Sequence, residues 1–507
     1  MAYATLLSEA ARLNGAGRAV VSGGETRSWT DVREETARIA GGLAERYKLK
    51  QGDRAGVLMG LFPEQLQLTL ALSWLGVTVV PFNTRLSSNE LRPVVQLADV
   101  DVLFWDRAHE SRADDVLGAT AAASSVQIDA KALAELGNGV SRPCTRWSDA
   151  DLAAIVFTGG TTGAPKGVML THSVMCAMAH QFAREVGYAT DTVYLQSMPI
   201  FHVGGLGQLL GVTGKGGCHV FYPETGPAAT YSSLRNEGVN TIVAVPTSLA
   251  LLLDSPLRDD ALLAQVRSVA YGATAISQAL LERLLDALPN AGFRQFYGQT
   301  ETAGLGTVLR PPYHVLSGPN AGHLTSCGQP CDGFVIETHD TSGNSTPIGT
   351  PGEVVVRGES LPPGYWRDPE RTRELFKDGW LHTGDIGILD SDGFLTIVDR
   401  LKDVIITGGE NVFCTEVENV LARHPDVAQC AVIGLPHELW GEAVHAVVVL
   451  RPGATVGEGE LRAFCAEGLT DYKRPKSIEI TTEPLPLSGV GKVMKKTLRD
   501  RWLAKQH

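Results

Sequence analysis

Short apolar runs alternate with segments of helical periodicity over the first 300 or so residues, and this alternation constrains the fold more than any other feature. Trp29 to Tyr47 and Pro63 to Leu75 have the spacing of helices, whereas Leu152 to Phe157 and Ser268 to Gly272 are predicted strands. Other predicted strands are 53–61, 77–82, 192–198 and 241–245. Such alternation is typical of βαβ units with a parallel sheet, so we predict an α/β fold with a large N-terminal domain of βα-type sheets.

The pattern changes twice along the chain. Residues 107–150 are rich in Ala, Ser and Asp and have little periodicity, so we interpret them as a variable region. From about residue 333, short β-like runs between Asp, Gly, Ser and Pro turns predict a small β subdomain. A charged cluster at 399–403 then precedes a compact α+β pattern. The predicted divisions are a large domain over 1–399, a hinge over 400–402 and a C-terminal cap domain over 403–507.

Composition excludes several classes of protein. The formal net charge of −12 over 507 residues argues against nucleic acid as a partner. The eight cysteines are scattered and form no CxxC pair, so free thiols in a reducing cytosol are expected. The N-terminus has no signal-peptide pattern, and no apolar stretch is long enough to span a bilayer. We therefore expect a cytoplasmic protein without integral membrane association.

A glycine- and threonine-rich loop follows the predicted strand that ends at Phe157. Residues 157–167 contain three threonines, four glycines and one lysine. Glycines let the backbone close around an anion, and hydroxyl and ammonium groups supply donors, so we predict a phosphate-binding loop. It is not a Walker A loop, because Lys166 is followed by Gly167 instead of Ser or Thr. The alternative for this segment alone is a flexible surface loop.

Further segments carry the residue types that a nucleotide site needs. They are 199–205 with His202, 297–301 with an aromatic ring, a hydroxyl and a carboxylate, 380–385, 402–411, and 486–492, where Lys492 follows the glycines Gly489 and Gly491. The carboxylate of Glu301 suits Mg²⁺, which prefers hard oxygen ligands. Taken singly, His202 is more often a core histidine, and 297–301 and 380–385 are ordinary turns. These segments and the glycine- and threonine-rich loop are very unlikely to occur together in this order in one chain by chance.

In this order the segments resemble the adenylate-forming superfamily of acyl-CoA ligases, firefly luciferases and peptide-synthetase adenylation domains. The chain is most similar to bacterial acyl- and aryl-CoA ligases, and the resemblance extends from about residue 25 to residue 500. It implies ATP and Mg²⁺ as cofactors, coenzyme A as co-substrate, and a large domain capped by a small mobile one. The implied reaction is ligation of a carboxylic acid to CoA through an acyl-adenylate, with release of AMP and pyrophosphate.

The resemblance also implies roles for individual residues in the adenylation reaction. The implied phosphate-loop residues are Thr158, Gly160, Thr161, Thr162, Gly163 and Lys166. The segment along the adenine is Gly272, Ala273 and Thr274, with Tyr297 stacked on the base and Thr300 at the α-phosphate. Glu301 and Thr162 are the implied Mg²⁺ ligands, Asp385 and Arg400 bind the ribose, Lys402 is the hinge position, and Lys492 is the adenylation lysine.

The second half-reaction has its own implied residues. His202 matches a position that lines the approach of the acyl group and the thiol. Gly408 and Gly409 match the pantetheine tunnel. The nucleotide of CoA is implied to contact Trp440, Tyr472, Arg474 and Lys476. The catalytic set implied by the resemblance is thus Lys492, Thr162, Glu301 and His202.

The phosphate loop departs from the family pattern at Gly159, where serine is usual. One hydroxyl donor is therefore missing, and backbone N–H groups must replace it. The alternative is that Gly159 has a positive φ that serine would strain.

The nature of the acid follows from the segments expected to line its pocket, 200–210, 271–276 and 298–306. They contain several glycines and alanines and no Arg or Lys, which disfavours a dicarboxylate and leaves room for a bulky uncharged acid, either fatty or aromatic. The alternatives are an adenylating enzyme that loads an acyl group onto a carrier protein, and a binding protein whose site has decayed. The expected partners are the acid, ATP and CoA, and the expected state is a monomer or homodimer.

Overall fold

A computed structural model describes residues 5–118, 124–159, 164–487 and 493–505. The chain divides into two compact units, of which the first comprises Met1–Ile336 and Val356–Leu381 and the second comprises Glu337–Val355 and His382–His507. The predicted hinge at 400–402 lies inside the second unit and stays a prediction.

The strands are numbered in chain order. Those of the first unit are β1 Arg18–Ser22, β2 Glu25–Ser28, β3 Arg54–Leu58, β4 Thr78–Pro81, β5 Val102–Trp105, β6 Ser124–Gln127, β7 Leu152–Thr158, β8 Lys166–Thr171, β9 Val193–Leu195, β10 Cys218–Phe221, β11 Thr241–Ala244, β12 Ser268–Gly272, β13 Gly292–Tyr297, β14 Thr307–Leu309, β15 Gln329–Pro330 and β18 Phe376–Lys377. Residues of both units occur in β16 Phe334–His339, β17 Gly352–Gly358 and β19 Trp380–Leu389. The second unit contains β20 Leu395–Arg400, β21 Ile405–Thr407, β22 Glu410–Val412, β23 Val427–His437, β24 Gly441–Leu450 and β25 Ser477–Thr481.

Helices α1 to α13 belong to the first unit and α14 to α16 to the second. They are α1 Thr5–Asn14, α2 Trp29–Tyr47, α3 Pro63–Leu75, α4 Ser88–Ala98, α5 Glu110–Leu117, α6 Ala130–Leu136, α7 His172–Val186, α8 Val203–Gly214, α9 Pro227–Glu237, α10 Pro246–Leu253, α11 Asp260–Leu263, α12 Gln278–Ala287, α13 Pro369–Leu375, α14 Cys414–Leu421, α15 Glu458–Gly468 and α16 Lys495–Ala504. No helix among the described residues is long and apolar enough to cross a membrane.

The first unit is built on two sheets that are mostly parallel. One has the order β6-β5-β3-β4-β7-β8, and all its pairs are parallel except the β7–β8 hairpin. The other has the order β15-β14-β13-β12-β11-β9-β10-β1-β2, with parallel pairs from β13 to β1. Because consecutive parallel strands need crossover connections, helices separate most of them along the chain. The predicted α/β fold is confirmed.

The helix limits reflect local signals in the sequence. Helix α2 begins after Ser28, which forms a capping box with Asp31. Helix α3 begins with Pro63 and ends at Leu75, followed by the C-cap residue Gly76, whose φ is +75°. Every residue of α3 from 65 to 75 is buried, so this helix is internal. Both helices have the limits that the sequence predicts.

The stretch 107–150, interpreted from the sequence as a variable region, contains regular structure, and its variability stays a prediction. This stretch contains α5, β6 and α6, and β6 extends the six-stranded sheet by pairing in parallel with β5. Strand β6 lies at the edge of that sheet, and none of its residues is fully buried. An edge position demands little apolar sequence, which explains why periodicity did not reveal it.

The β-rich stretch predicted after residue 333 is present as β16 to β20. In the second unit, β20 pairs antiparallel with β19. The α+β pattern predicted beyond residue 403 folds as a sheet of order β22-β21-β24-β23, in which β25 also pairs with β24. Helices α14 and α15 pack on it through a core that includes Val417, Leu421, Leu461 and Cys465.

Candidate active site

The predicted phosphate loop is the turn of the β7–β8 hairpin. Thr158 at the end of β7 pairs with Lys166 at the start of β8, so both predicted phosphate ligands stand at the base of the turn. Gly159 is exposed, its φ lies outside the left-handed range, and a Cβ on it would have no described atom within 4 Å. The loop residues Gly160, Thr161, Thr162 and Gly163 lie outside the described residues.

A tyrosine that sequence reasoning missed links two predicted site residues. The ammonium Nζ of Lys166 is 5.1 Å from the centroid of the Tyr365 ring, a cation–π contact. The hydroxyl of Tyr365 donates a hydrogen bond of 2.8 Å to Oε1 of Glu301. Tyr365 is 6% exposed, and burial together with the Glu301 carboxylate raises the pKa of its hydroxyl. The only sequence signal for Tyr365 was an aromatic pair after a glycine, which is too common to indicate a site.

The adenine and magnesium residues lie at neighbouring strand ends. Strands β12 and β13 pair in parallel with Gly272 opposite Phe296, so their carboxyl ends adjoin. Ala273 and Thr274 follow β12, and Tyr297 ends β13. A Cβ on Gly272 would approach the carbonyl oxygen of Phe296 to 2.5 Å, so this position requires glycine. The structure thus brings together the two segments predicted to bind the nucleotide.

The turn after β13 holds Thr300 and Glu301. A 3-10 turn over Thr300–Thr302 is fixed by reciprocal hydrogen bonds between Gln299 and Thr302. Ala273 and Ala303 have φ of +67° and +56°, a left-handed conformation that is uncommon for alanine and often occurs at functional sites.

Glu301 fits a divalent cation. Its Oε1 accepts from Tyr365, and within the described part of the chain its Oε2 has no hydrogen-bond or ion-pair partner. A carboxylate with one oxygen held and the other available suits Mg²⁺, which is bound in proteins through one or two carboxylates together with substrate phosphates.

Two of the three segments predicted to line the acyl pocket meet in the first unit. His202 caps the N-terminus of α8, is half-buried, and its ring centroid is 4.5 Å from that of Phe201. A Cβ on Gly304 would lie 3.0 Å from Cγ1 of Val203, so the segments 200–210 and 298–306 are in contact. A Cβ on Gly204 would have no described atom within 4 Å. Within the described part of the chain, the first turn of α8 thus leaves room for a side chain at Gly204.

The predicted ribose ligands pair within the second unit. Asp385 and Arg400 are opposite residues of β19 and β20, and Nε of Arg400 is 2.6 Å from Oδ1 of Asp385. Asp385 is 3% exposed, whereas the Arg400 side chain is 39% exposed. Lys402 follows in an exposed 3-10 turn over Leu401–Asp403.

The two glycines predicted for the pantetheine tunnel form a two-residue hairpin loop. Gly408 and Gly409 connect β21 and β22, where Thr407 pairs with Glu410. Their φ values are +59° and +88°, and a tight hairpin turn with both central residues at positive φ strongly favours glycine. The N–H of Gly408 donates to the carbonyl oxygen of Trp440 at 2.9 Å, which ties the loop to the predicted CoA residues.

Trp440 stands in a polar and aromatic cluster. The ring of His437 stacks on it at 4.3 Å between centroids and 13° between planes. The ammonium of Lys476 is 5.0 Å from the Trp440 ring centroid. His437 was also missed by the sequence, because its contact with Trp440 depends on the turn between β23 and β24.

Tyr472 and Arg474 differ in their availability for a ligand. Tyr472 is 37% exposed. Arg474 donates to the carbonyl oxygens of Leu469 and Ala466 at 2.9 and 3.3 Å, so its guanidinium binds the C-terminal end of α15. A predicted CoA contact by Arg474 would have to compete with these bonds. Lys492 lies outside the described residues.

Two family models match this chain over most of its length. A model described as "AMP-binding enzyme" matches residues 7–366, and a model described as "AMP-binding enzyme C-terminal domain" matches residues 416–492. The chain belongs to the AMP-binding enzyme family. The first matched region contains the hairpin loop and the strand ends of β12 and β13 described above, and the second contains Trp440, Tyr472 and Lys476.

Curated members of the AMP-binding enzyme family align over nearly the whole chain. A feruloyl-CoA synthase of Amycolatopsis sp is 34% identical over 493 residues, which is 97% of each protein. The fatty acid–[acyl-carrier-protein] ligase ScoC of Streptomyces coeruleorubidus is 32% identical over 491 residues, covering 96% of this chain and 93% of that protein.

A solved member of the AMP-binding enzyme family shares the fold. The o-succinylbenzoate CoA synthetase of Bacillus subtilis, in complex with its acyl-adenylate intermediate, superimposes with a TM-score of 0.86 at 29% identity and covers 98% of each chain. The same enzyme has been solved with ATP and a magnesium ion. The assignment to adenylate-forming acyl- and aryl-CoA ligases made from the sequence is confirmed.

Proposed function

We propose that this chain is an ATP-dependent carboxylic acid:CoA ligase that forms an acyl-adenylate and then an acyl-CoA, releasing pyrophosphate and AMP. The observation that carries the proposal is the placement of Lys166 and Glu301 on one buried tyrosine, Tyr365, at the base of the phosphate-loop hairpin. That arrangement brings an ammonium group and a carboxylate suited to Mg²⁺ together beside the predicted loop, in a member of the AMP-binding enzyme family.

In the first half-reaction the substrate carboxylate attacks the α-phosphorus of ATP and pyrophosphate leaves. Negative charge shifts onto the leaving phosphates, so preorganised cations and donors lower the barrier. We assign these tasks to Thr158, Lys166, Thr300 and Lys492. Mg²⁺, held by Glu301 and Thr162, would neutralise charge on the phosphates. Tyr297 would stack on the adenine. Asp385 would accept hydrogen bonds from the ribose hydroxyls, and Arg400 would donate hydrogen bonds to them.

In the second half-reaction the thiol of CoA attacks the acyl carbon and AMP leaves. Lys492 has no task in that step. We propose that the cap domain turns about Lys402 between the steps, so that the Gly408–Gly409 turn replaces the Lys492 loop. Separating the steps protects a mixed anhydride that water would hydrolyse. Trp440 and Lys476 would then contact the nucleotide of CoA.

The acid is proposed to be bulky and uncharged, either aromatic or fatty. The segments in contact around α8 contain no Arg or Lys, and no described atom fills the space that a side chain at Gly204 would take. The relatives include ligases named for ferulate and for medium- and long-chain fatty acids, which support this range, whereas 2-succinylbenzoate, named for another relative, carries a second carboxylate and lies outside it. Further parts of the proposal are a cytoplasmic location and a monomeric or homodimeric state.

Loading of a carrier protein is the second candidate, since one relative is named as a fatty acid–[acyl-carrier-protein] ligase. The two candidates differ in the acceptor and share the adenylation step. Free CoA presents an adenine and phosphates, which suit the aromatic ring of Trp440 and the ammonium of Lys476. A phosphopantetheine arm has no adenine, so a carrier-specific enzyme would not depend on Trp440.

The test is a panel of aromatic and aliphatic carboxylic acids assayed for pyrophosphate release with and without CoA. We expect the protein to release pyrophosphate from ATP when at least one acid of the panel is present. Addition of CoA should then increase the turnover and yield the thioester of that acid. Two variants separate the half-reactions. Lys492→Ala is expected to lower the rate of adenylate formation by about 10²–10³-fold and still to convert a supplied acyl-adenylate. Trp440→Ala is expected to raise the KM for CoA and to leave the other KM values unchanged. Pyrophosphate release without any effect of CoA would favour the carrier protein instead.

A further inference from the structure

The backbone around Tyr365 is fixed against the phosphate-loop hairpin. The N–H of Trp366 donates to the carbonyl oxygen of Gly167 at 2.7 Å, and the N–H of Met169 donates to that of Gly364 at 3.0 Å. The N–H of Tyr365 itself donates to Oγ1 of Thr372 at 3.0 Å. Hydrogen bonds on both sides therefore place the backbone of Tyr365 beside β8.

The side chain of Tyr365 contacts two predicted site residues at once. Its hydroxyl donates to Oε1 of Glu301, a residue 64 positions away, at 2.8 Å. Its ring faces the ammonium of Lys166 at 5.1 Å. A tyrosine hydroxyl on an ionised carboxylate is a charge-assisted hydrogen bond, stronger than one between neutral groups.

We propose that Tyr365 is a positioning residue that orients the carboxylate of Glu301 for Mg²⁺, with Oε1 held by the tyrosine hydroxyl and Oε2 presented to the cation. The inference rests on the proposed function, because it takes Glu301 as the metal ligand. Carboxylates that bind metals are commonly held by hydrogen bonds from neighbouring residues, and loss of such a partner typically costs 10–100-fold in metal affinity.

The test uses Tyr365→Phe, which retains the ring over Lys166 and removes only the hydroxyl. The matched control is Tyr231→Phe, since Tyr231 is also buried and its hydroxyl also donates one hydrogen bond, to the carbonyl oxygen of Leu252 at 3.0 Å. Both variants lose one buried hydroxyl, and only the first is beside Glu301. Calorimetric titration of the ATP-saturated protein with Mg²⁺ measures the apparent Kd, and thermal melting measures stability.

We expect Tyr365→Phe to weaken Mg²⁺ binding by about 10–100-fold, and Tyr231→Phe to leave it unchanged with a similar fall in Tm. In a Glu301→Gln background, Tyr365→Phe should have little further effect on Mg²⁺ binding, because the carboxylate on which it acts is gone. Conversion of a supplied acyl-adenylate to the thioester should be unaffected.

Two results would overturn the proposal. One is an unchanged Kd for Mg²⁺ in Tyr365→Phe. The other is an equal loss of ATP binding in excess chelator and in Mg²⁺, because the tyrosine would then act without the cation. Failure of the proposed function looks different, since the wild-type protein would then show no Mg²⁺-dependent ATP binding and no acid-dependent pyrophosphate release.

Discussion

Arg400 and Asp385 face each other across the antiparallel pair β19–β20, with Nε of Arg400 2.6 Å from Oδ1 of Asp385. The carboxylate is almost fully buried, whereas the arginine side chain is partly exposed. As opposite residues of an antiparallel pair, they place one carboxylate and one guanidinium on the same face of the two strands. Both groups suit the hydroxyls of a ribose, which donate to a carboxylate and accept from a guanidinium.

Asp385→Asn is expected to raise the KM for ATP by about tenfold to a hundredfold with little change in the KM for the acid. The amide keeps the shape of the side chain and loses the charge, and hydrogen bonds to charged groups contribute about 1.5–3 kcal/mol. Steady-state kinetics with ATP varied checks this. Asp99→Asn is the control, because Asp99 also pairs with arginines, Arg54 and Arg367, and lies outside the predicted site. An equal effect of both variants would contradict a ribose role.

Gly159→Ser restores the hydroxyl that the phosphate loop lacks. The φ of Gly159 is not in the left-handed range, so a serine there would not be strained. A Cβ at this position would have no described atom within 4 Å. The new hydroxyl should contribute about 0.5–1.5 kcal/mol to ATP binding, seen as a lower KM for ATP at unchanged Tm. A fall in Tm, or an effect confined to the KM for the acid, would show that the loop does not bind phosphate as proposed.

Lys402→Pro tests the predicted hinge. Proline fixes φ near −65° and disfavours the helical conformation of the preceding residue, so a segment that must change its dihedral angles should lose that freedom. We expect adenylation to survive and thioester formation to fall, as measured in separate half-reaction assays. The control is Lys402→Ala, which removes the charge and leaves the backbone free. Wild-type rates in both halves for the proline variant would mean that the chain does not turn at Lys402.

Buried histidines predict how stability depends on pH. Burial lowers the pKa of His219 from 6.5 to about 3 and that of His314 to about 4. Below pH 6.5 the unfolded chain takes up protons that the folded chain excludes, so stability is fully present above pH 6.5 and falls toward pH 4. Each such group contributes a loss of about 1.4 kcal/mol per pH unit within this window.

His219→Asn should make that fall less steep, because the replacement does not titrate. The ring of His219 lies between Gln196 and Thr213, which hydrogen-bond to its two nitrogens at 2.8 and 3.0 Å, and an asparagine keeps some of this polar contact. Urea unfolding at several pH values between 7.5 and 4.5 measures the slope. An unchanged slope in the variant would rule out His219 as a source of the acid sensitivity.

Elements with strong local signals were predictable from the sequence. Helix α2 combines a capping box at Ser28 with regular apolar spacing, and β12 is a short apolar run between turn residues. The edge strand β6 was missed because half-exposed residues leave no alternation to detect. Local sequence patterns thus indicate which residues are buried and where helices begin and end. They predict an element poorly when it is stabilised mainly by pairing with a neighbouring strand.

The candidate site was predictable where one segment carries several functional groups, as in the phosphate loop and at Tyr297 to Glu301. It was not predictable where function depends on contacts between distant segments. Tyr365 reaches Glu301 only because its own segment pairs with β8, and His437 reaches Trp440 through a turn between strands. Sequence periodicity does not indicate contacts between distant segments, so only the structure shows that Tyr365 and His437 contact predicted site residues.

The fate of the carboxylate oxygen tests the central claim most directly. The acid of the panel with the highest turnover is labelled with ¹⁸O in its carboxylate and converted with ATP and CoA. The masses of the products are then determined by mass spectrometry. Attack on the α-phosphorus followed by attack of the thiol on the acyl carbon leaves one carboxylate oxygen on the phosphate. The account predicts AMP with one labelled oxygen and unlabelled pyrophosphate. Unlabelled AMP, or label in inorganic phosphate alongside ADP, would contradict an acyl-adenylate.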